Sequence, residues 1–598
     1  AGVETNLTAT SNIGLGANAV DSITTGDYNV GVGDNAGTAL TSGQRNVAVG
    51  TNAMDEATTG SDSVAVGYSA GHSVTTGIEN TFIGYYAGAE TTTANYNIAL
   101  GASTLENNIT GANNIAIGRA ALNVNTASNN TAVGHAALTA NTTGANNIAI
   151  GSYTLDANTT GIKNNALGNY ALSNSTTGDN NSAFGHESLG ENTTGADNVA
   201  LGYTAMKNNT TGAENTSIGS RALENNTTAS NNTAVGRYAL YANTTGANNV
   251  AVGQGALDAN TTASNNTGLG TQTLSANTTG TANTAVGFAA LEANTTASNN
   301  TAVGFTALLS NTTGSYNTAI GYSALNANTT AVRNVALGTS ALQANTTGYR
   351  NTSLGYNSGV GTTTGYENVL IGDNAGAAGT TFNRNIMIGR AAGAYSTTGD
   401  HNVFVGHFAG ADGTNNTTGS NSIYIGAYAH GDSGAANYQT VIGYNVEGTN
   451  GTTTIGKNAD DSRLTFGATS WSAPSDQRLK EEITTSTAGL SFINDLRPVT
   501  FKWKKEKDIP TDLTGYKEGS ETRYKTDTTE HGFIAQEVKT AIDAHSEIKD
   551  GFDMWTEDSS GGRQRLADGA LVPMLVKAIQ ELSAKNEALL TRIEALEG

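Results

Sequence analysis

The chain has no cysteine, so neither disulfides nor thiolate metal sites can staple its fold, and its stability must come from packing and assembly. Proline is almost as scarce. All four prolines, Pro474, Pro498, Pro510 and Pro573, lie in the last quarter, together with all three tryptophans, Trp471, Trp503 and Trp555. So sharp a break in composition marks a domain boundary near residue 470. Only 13% of residues are charged, and the net charge of -21 divides into 12 basic and 27 acidic residues before Trp471 and 17 basic and 23 acidic from there on. With no basic block anywhere, nucleic acid and anionic lipid find no charged face to bind. No apolar run approaches the roughly 18 residues of a membrane span, and no signal-like hydrophobic segment follows Ala1, so membrane insertion is not expected.

What the chain has in abundance is glycine, 74 in 598 residues, and the glycines are periodic. They close an Asn-x-small-aliphatic-Gly motif every 17 residues from Gly16 to Gly118, then from Gly134 to Gly406; the step is 16 once, before Gly134, and 20 once, before Gly426, and Gly443 resumes it. Self-similarity at a fixed period outranks local propensity and gives about 26 coils. In a typical unit, Asn249-Val250-Ala251-Val252-Gly253, alternation puts Val250 and Val252 on one side of a short strand and Asn249 and Ala251 on the other. Gly253 permits a turn, Ala256-Leu257 supplies a second inward segment, and Asn260-Thr261-Thr262 carries side chains that satisfy turn backbone groups. One coil cannot bury its own apolar residues, whereas stacked coils bury a continuous column. At roughly 4.8 Å per stacked strand, the coils extend over about 120 Å.

The repeats Asn146-Asn147-Ile148-Ala149-Ile150-Gly151 and Asp62-Ser63-Val64-Ala65-Val66-Gly67 resemble the Asn-Ser-Val-Ala-Ile-Gly head repeats of trimeric autotransporter adhesins. That resemblance implies a left-handed parallel β-roll in a homotrimer, and the small residues Ala149 and Ala251 are expected to let neighbouring chains approach. The chain departs from those adhesins in its longer repeat and in carrying no C-terminal barrel. The Asn and Thr files are expected to cap turns and stack as polar ladders. Sequons such as Asn141-Thr142-Thr143 and a repeated ligand, a glycan or ice, are the sharper alternatives. His135, His186 and His407 lie three or more coils apart, too far for one metal within a chain, and are read as surface histidines.

Beyond residue 470 the segment Ala473-Pro474-Ser475-Asp476-Gln477-Arg478-Leu479-Lys480 resembles the self-cleavage site of the endosialidase-type intramolecular chaperone, a trimeric C-terminal peptidase domain. Three further stretches, Ser491 to Val499 with Thr500 to Trp503, His531 to Val538, and Leu571 to Leu582, resemble that family in the same order. Asp568-Gly569-Ala570 departs from its frequent Tyr-containing lead-in. The resemblance implies Ser475 as nucleophile and Lys480 as its base; ring size selects Pro474-Ser475 as the bond cut, since attack on the preceding carbonyl closes a five-membered ring and attack on the serine's own a strained four-membered one. Arg478, through its charge, and His531 are candidate helpers, with a structural place the preferred reading of His531. Chemically, a serine hydroxyl needs a base, and lysine can serve only where burial or neighbouring positive charge lowers its pKa. Independently of any family, Leu575, Ile579, Leu582, Asn586, Leu589, Ile593 and Leu596 step by 4, 3, 4, 3, 4 and 3, an a/d seam that calls for a partner helix.

The expected architecture is therefore mainly β: a β-solenoid fibre over residues 1–463, a junction over 464–474, and a small α+β chaperone domain over 475–598 ending in a coiled coil at 571–597. The expected partners are two further copies of the chain, with a cell-surface glycan or receptor as a further one. No cofactor or metal is expected. The function expected is an extracellular fibre, on a phage tail or a bacterial surface, whose last domain templates the trimer and cuts itself off. An uncut adhesin and a purely structural filament are the alternatives.

Overall fold

The computed structural model describes residues 10–411, 417–468, 472, 477, 480–511, 513, 515–549, 552–557 and 564–598. The chain divides into two compact units, Ala1–Pro474 and Ser475–Gly598.

The first unit is a β-solenoid of about 26 coils. Each coil gives one strand to a single sheet, from β1 (Ile13–Leu15) through β25 (Ile423–Ile425) to β26 (Thr440–Tyr444), and all of these neighbours pair in parallel. Register advances by one repeat per strand, as in Val250↔Thr267. The shortened coil pairs Ile115 with Thr131 and the lengthened one pairs Val403 with Ile423, so both irregularities are absorbed outside the ladder. The stack ends in a hairpin: β27 (Thr452–Lys457) pairs in parallel with β26, and β28 (Asp460–Thr465) turns back antiparallel to it.

Close stacking dictates the coil glycine. At Gly253, φ is +137°, and a Cβ there would lie 2.3 Å from the carbonyl oxygen of Gly270 in the next coil. The coil interior is narrow: Ala251, Ala256 and Leu257 fill it and are fully buried. Leu257 sits at φ +54°. A left-handed backbone costs a leucine on the order of 1–2 kcal/mol, which burial of its side chain, worth about 1.5–3 kcal/mol, offsets.

The expectation that Ala149 and Ala251 would face neighbouring chains is overturned. Both are buried inside their own coils, while the aliphatic residues flanking them point outward, with Ile148 43% and Val250 38% exposed. Alternation along the strand holds, but its two sides are exchanged: where a leucine already sits inside the coil, as at Leu257, only a methyl group fits beneath the strand centre. Where the strand centre is large, the leucine position is given up. Phe82 is flanked by Gly71 and Gly88, Leu370 by Gly359 and Gly376, Met387 by Gly393, and Phe404 by Gly410. A Cβ on Gly88 would stand 2.5 Å from the Phe82 ring.

The second unit packs α1 (Leu490–Asp495), the pair β29 (Val499–Phe501) and β30 (Glu530–Gly532), α2 (Ala535–Ala544), the pair β31 (Trp555–Glu557) and β32 (Gln564–Leu566), and the long α3 (Val572–Glu597). Its core gathers Phe492, Val538, Ile542, Ile548, Met554 and Leu571. Pro573 lies in the first turn of α3, where its missing N–H costs little.

Candidate functional site

Two surfaces and one junction carry the functional questions, and each is built from a regular sequence pattern.

The first surface is the outer side of the solenoid sheet. The residue after each strand centre is Val, Ile or Leu, or Phe at Phe184, and the one before it is aliphatic in some coils and Thr, Ser or Asn in others; half-exposed to exposed, as at Leu100, Ile150 and Leu201, the former recur coil after coil into an apolar ridge. Behind the ridge, buried asparagines hold the coils together. The Asn249 N–H donates to Asn232 Oδ1 at 3.0 Å, its Nδ2 donates to the Ala263 carbonyl at 2.9 Å, and its own Oδ1 accepts from the Asn266 N–H at 3.0 Å. A second file runs through the Asn-Thr-Thr turns: Asn243 Nδ2 donates to Asn226 Oδ1 at 3.0 Å and to the Gly246 carbonyl at 2.9 Å, and Asn243 Oδ1 accepts from Asn260 Nδ2 at 2.9 Å. Asn249 and Asn243 thus meet the rule that buried polar groups are paired; the second file breaks at Asn158 and Asn345, whose buried Oδ1 atoms have no partner where Ser175 and Thr362 replace the next asparagine.

These files decide the sequon question at Asn141. Its side chain is fully buried, and Nδ2 donates to Asn125 Oδ1 at 2.6 Å and to the Gly144 carbonyl at 2.8 Å. The nitrogen that glycosylation would modify is therefore inside the folded coil. His135 meets the edge of Tyr153 at 5.0 Å between ring centroids, and His186 stacks on Tyr203 at 5.7 Å, so both belong to columns of surface rings.

The second surface is on α3. Leu575, Ile579, Leu582, Leu589, Ile593 and Leu596 are all exposed, as is Asn586, whereas Ala578 and Leu571 turn into the unit's core. The helix is tied to the unit through Glu581, whose carboxylate accepts the N–H of Leu490 at 2.9 Å and so caps the start of α1. From Leu582 onward every residue of α3 is exposed, the seam among them.

At the junction, Pro474, Ser475 and Arg478 lie outside the described residues, and no geometry for the Ser/Lys pair follows. Lys480 is exposed, and its backbone N–H donates to the Gln477 carbonyl at 3.1 Å. His531 lies exposed on β30 opposite Thr500. A different histidine holds the buried position. His545 donates through Nε2 to Asp495 Oδ2 at 2.8 Å and faces Glu547 Oε1 with Nδ1 at 3.1 Å, its ring edge-on to Phe492. The Asp495 carboxylate, and then that of Glu547, raise its pKa above the ordinary histidine value.

Residues 475–546 match the family model described as chaperone of endosialidase. The match starts at the serine of the Ser-Asp signature, and the matched segment takes in α1, the β29–β30 pair and α2. His545 falls within the matched segment, and α3 with its seam follows it. No curated protein and no solved structure matches the chain.

Sequence reasoning missed three features. The His545 pairing joins residues 50 positions apart in the chain, for which local pattern gives no cue. The Glu581 cap is equally remote in sequence from α1. The exchange of leucine for glycine around Phe82 was legible, because an oversized strand centre and the missing leucines recur together.

Proposed function

We propose that the chain is a homotrimeric extracellular fibre whose C-terminal unit aligns three copies during folding and is then released by Ser/Lys autoproteolysis. The observation that carries the reading is the exposed seam of α3 following a chaperone segment. Seven a/d positions left in water on one helix are a surface for further copies of the same helix, and the polar Asn586 in the seam would fix their register. The outer ridge of the solenoid supports association as well, because a strip of Val, Ile and Leu, with Phe184 among them, is what neighbouring copies would cover. Parallel stacking is slow and leaves edges open while it proceeds, so a domain that sets the starting register has physical work to do.

Release follows from the chemistry of the junction. Ser475 Oγ attacks the carbonyl carbon of Pro474 through a five-membered ring, its proton passing to Lys480. The C–N bond breaks as the Ser475 nitrogen takes a proton, and water then hydrolyses the ester. The products are a fibre ending at the Pro474 carboxylate and a fragment beginning at the Ser475 amine. General-base help of this kind is worth about 10²-fold to 10⁴-fold in rate. Intact mass and N-terminal sequencing of freshly folded protein test it. Wild type should yield a new N-terminus at Ser475, Ser475→Ala should stay full length, and Lys480→Ala should cut far more slowly. Wild type that stays full length would reduce the pair to relics in a chaperone that does not cut.

The template role is separable. Deleting residues 475–598 from the gene should leave the repeats aggregated, and soluble, ordered fibre from that gene would overturn it.

A further inference from the structure

The turn that follows the coil glycine carries a side chain at its second position in the adjoining coils, Tyr238 in one and Gln272 in the other, each with positive φ. Between them stands Gly255, at φ +62°, where an added Cβ would meet nothing closer than an Asp258 carboxylate oxygen at 3.8 Å. The missing side chain opens a depression of about 450 Å³ lined by Tyr238, Gln254, Asp258, Gln272 and Ser275. That is within the range of small-ligand pockets.

The lining restricts what can bind. Asp258 lies half-buried, and burial raises its pKa; among the described residues no cation pairs with it. Its carboxylate disfavours an anionic ligand. Tyr238 in the wall is itself flanked by two guanidinium groups, Arg237 at 4.7 Å from the ring centre and Arg221 at 5.8 Å, and this positive charge disfavours a cationic one. One carboxylate is too few to hold a metal ion. What remains is a carboxylate acceptor, two carboxamides that both donate and accept, a serine hydroxyl and a tyrosine. These groups suit a neutral ligand with adjacent hydroxyls that donate and accept together. We infer that the depression around Gly255 binds a neutral saccharide. The site gives the repeat region a ligand in addition to its reach, and it depends on neither the seam nor the cleavage.

The test uses the full-length chain on an array of neutral and sialylated oligosaccharides, with Gly255→Gln and Asp258→Ser beside wild type. Gln272 and Ser275 occupy those two positions in the next coil, so both variants install residues that the coil backbone already accepts. Wild type should retain at least one neutral saccharide. Each variant should retain it about ten-fold or more weakly, as loss of a bidentate acceptor or of the cavity requires, with amide exchange in coils 236 to 287 unchanged. Wild type that retains nothing, that prefers the sialylated members, or that is matched by both variants overturns the inference.

Discussion

Phe82 and Gly88 offer a quantitative test of how the coils are filled. Phe82 is the fully buried centre of its strand, and Gly88 stands where most coils place a buried leucine. Phe82→Ala alone empties the coil, a change that costs about 3–5 kcal/mol in a packed core. Gly88→Leu alone forces a Cβ to within 2.5 Å of the Phe82 ring atoms Cδ1 and Cε1, overpacking that costs about 1–3 kcal/mol or more. The double variant rebuilds the arrangement of Ala251 above Leu257 on the Gly88 side of the strand, Gly71 remaining on the other, and the backbone is ready for it, since Gly88 has φ +62° and Leu257 +54°. The two single costs should therefore largely cancel, with a coupling energy of about 3 kcal/mol or more, beyond the usual range for neighbours that merely touch. Because a solenoid unfolds in segments, amide exchange in the coils between Val64 and Leu105 is the right assay. Single variants should exchange faster there by about two orders of magnitude or more, at roughly 1.4 kcal/mol per decade, and the double variant should return to within about ten-fold of wild type. Additive losses would refute the reasoning.

Three further outcomes follow from the same structure. Asn243→Ala removes three buried hydrogen bonds and should weaken its coil by about 2–4 kcal/mol, read as local amide exchange, whereas Thr245→Ala, which changes an exposed hydroxyl, should stay within about 0.5 kcal/mol; equal effects would contradict the ladder. Ile148→Asp places a charge on the ridge that the proposed trimer would cover, without disturbing the coil interior, so amide exchange in the coils next to Ile148 should quicken with β-structure retained, and unchanged exchange there would remove the ridge from the interface. The raised pKa of His545 makes a pH prediction: its contribution is fully present below the unfolded histidine value of about 6.5 and is lost as pH rises through the higher folded value, so the melting temperature of the C-terminal unit should fall across that window in wild type and flatten in His545→Gln.

The solenoid was legible because its period is strict. The glycine spacing locates every strand from β1 to β26, and the shortened and lengthened coils appear in the ladder where the glycine step changes. Destination was harder to read than alternation. A Val-Ala-Val strand has two faces, and hydrophobicity alone sends the valines inward; the leucine after the glycine already occupies the interior, so volume decides the opposite way. The a/d seam on α3 was visible as spacing, and the structure adds that these residues are left in solvent. In the C-terminal unit, His531 drew attention through its motif while His545 took the buried position between two carboxylates, because that position depends on tertiary approach of α1 to the end of α2.

The hairpin that closes the stack has a consequence for polymerisation. A column of identical parallel coils is a template at its open edge, and a further coil from another molecule could in principle extend it without limit. Here β28 reverses direction, replacing the repeating edge with an antiparallel strand carrying Asp460, Asp461 and Arg463. The outer side of that strand is itself engaged, Arg463 exchanging both backbone hydrogen bonds with Ser472 at 2.7 Å, so an incoming coil finds neither a free edge there nor the asparagine and glycine partners that it needs. The length of the column is therefore counted out by the gene, coil by coil, and the hairpin closes this end of it to a further coil.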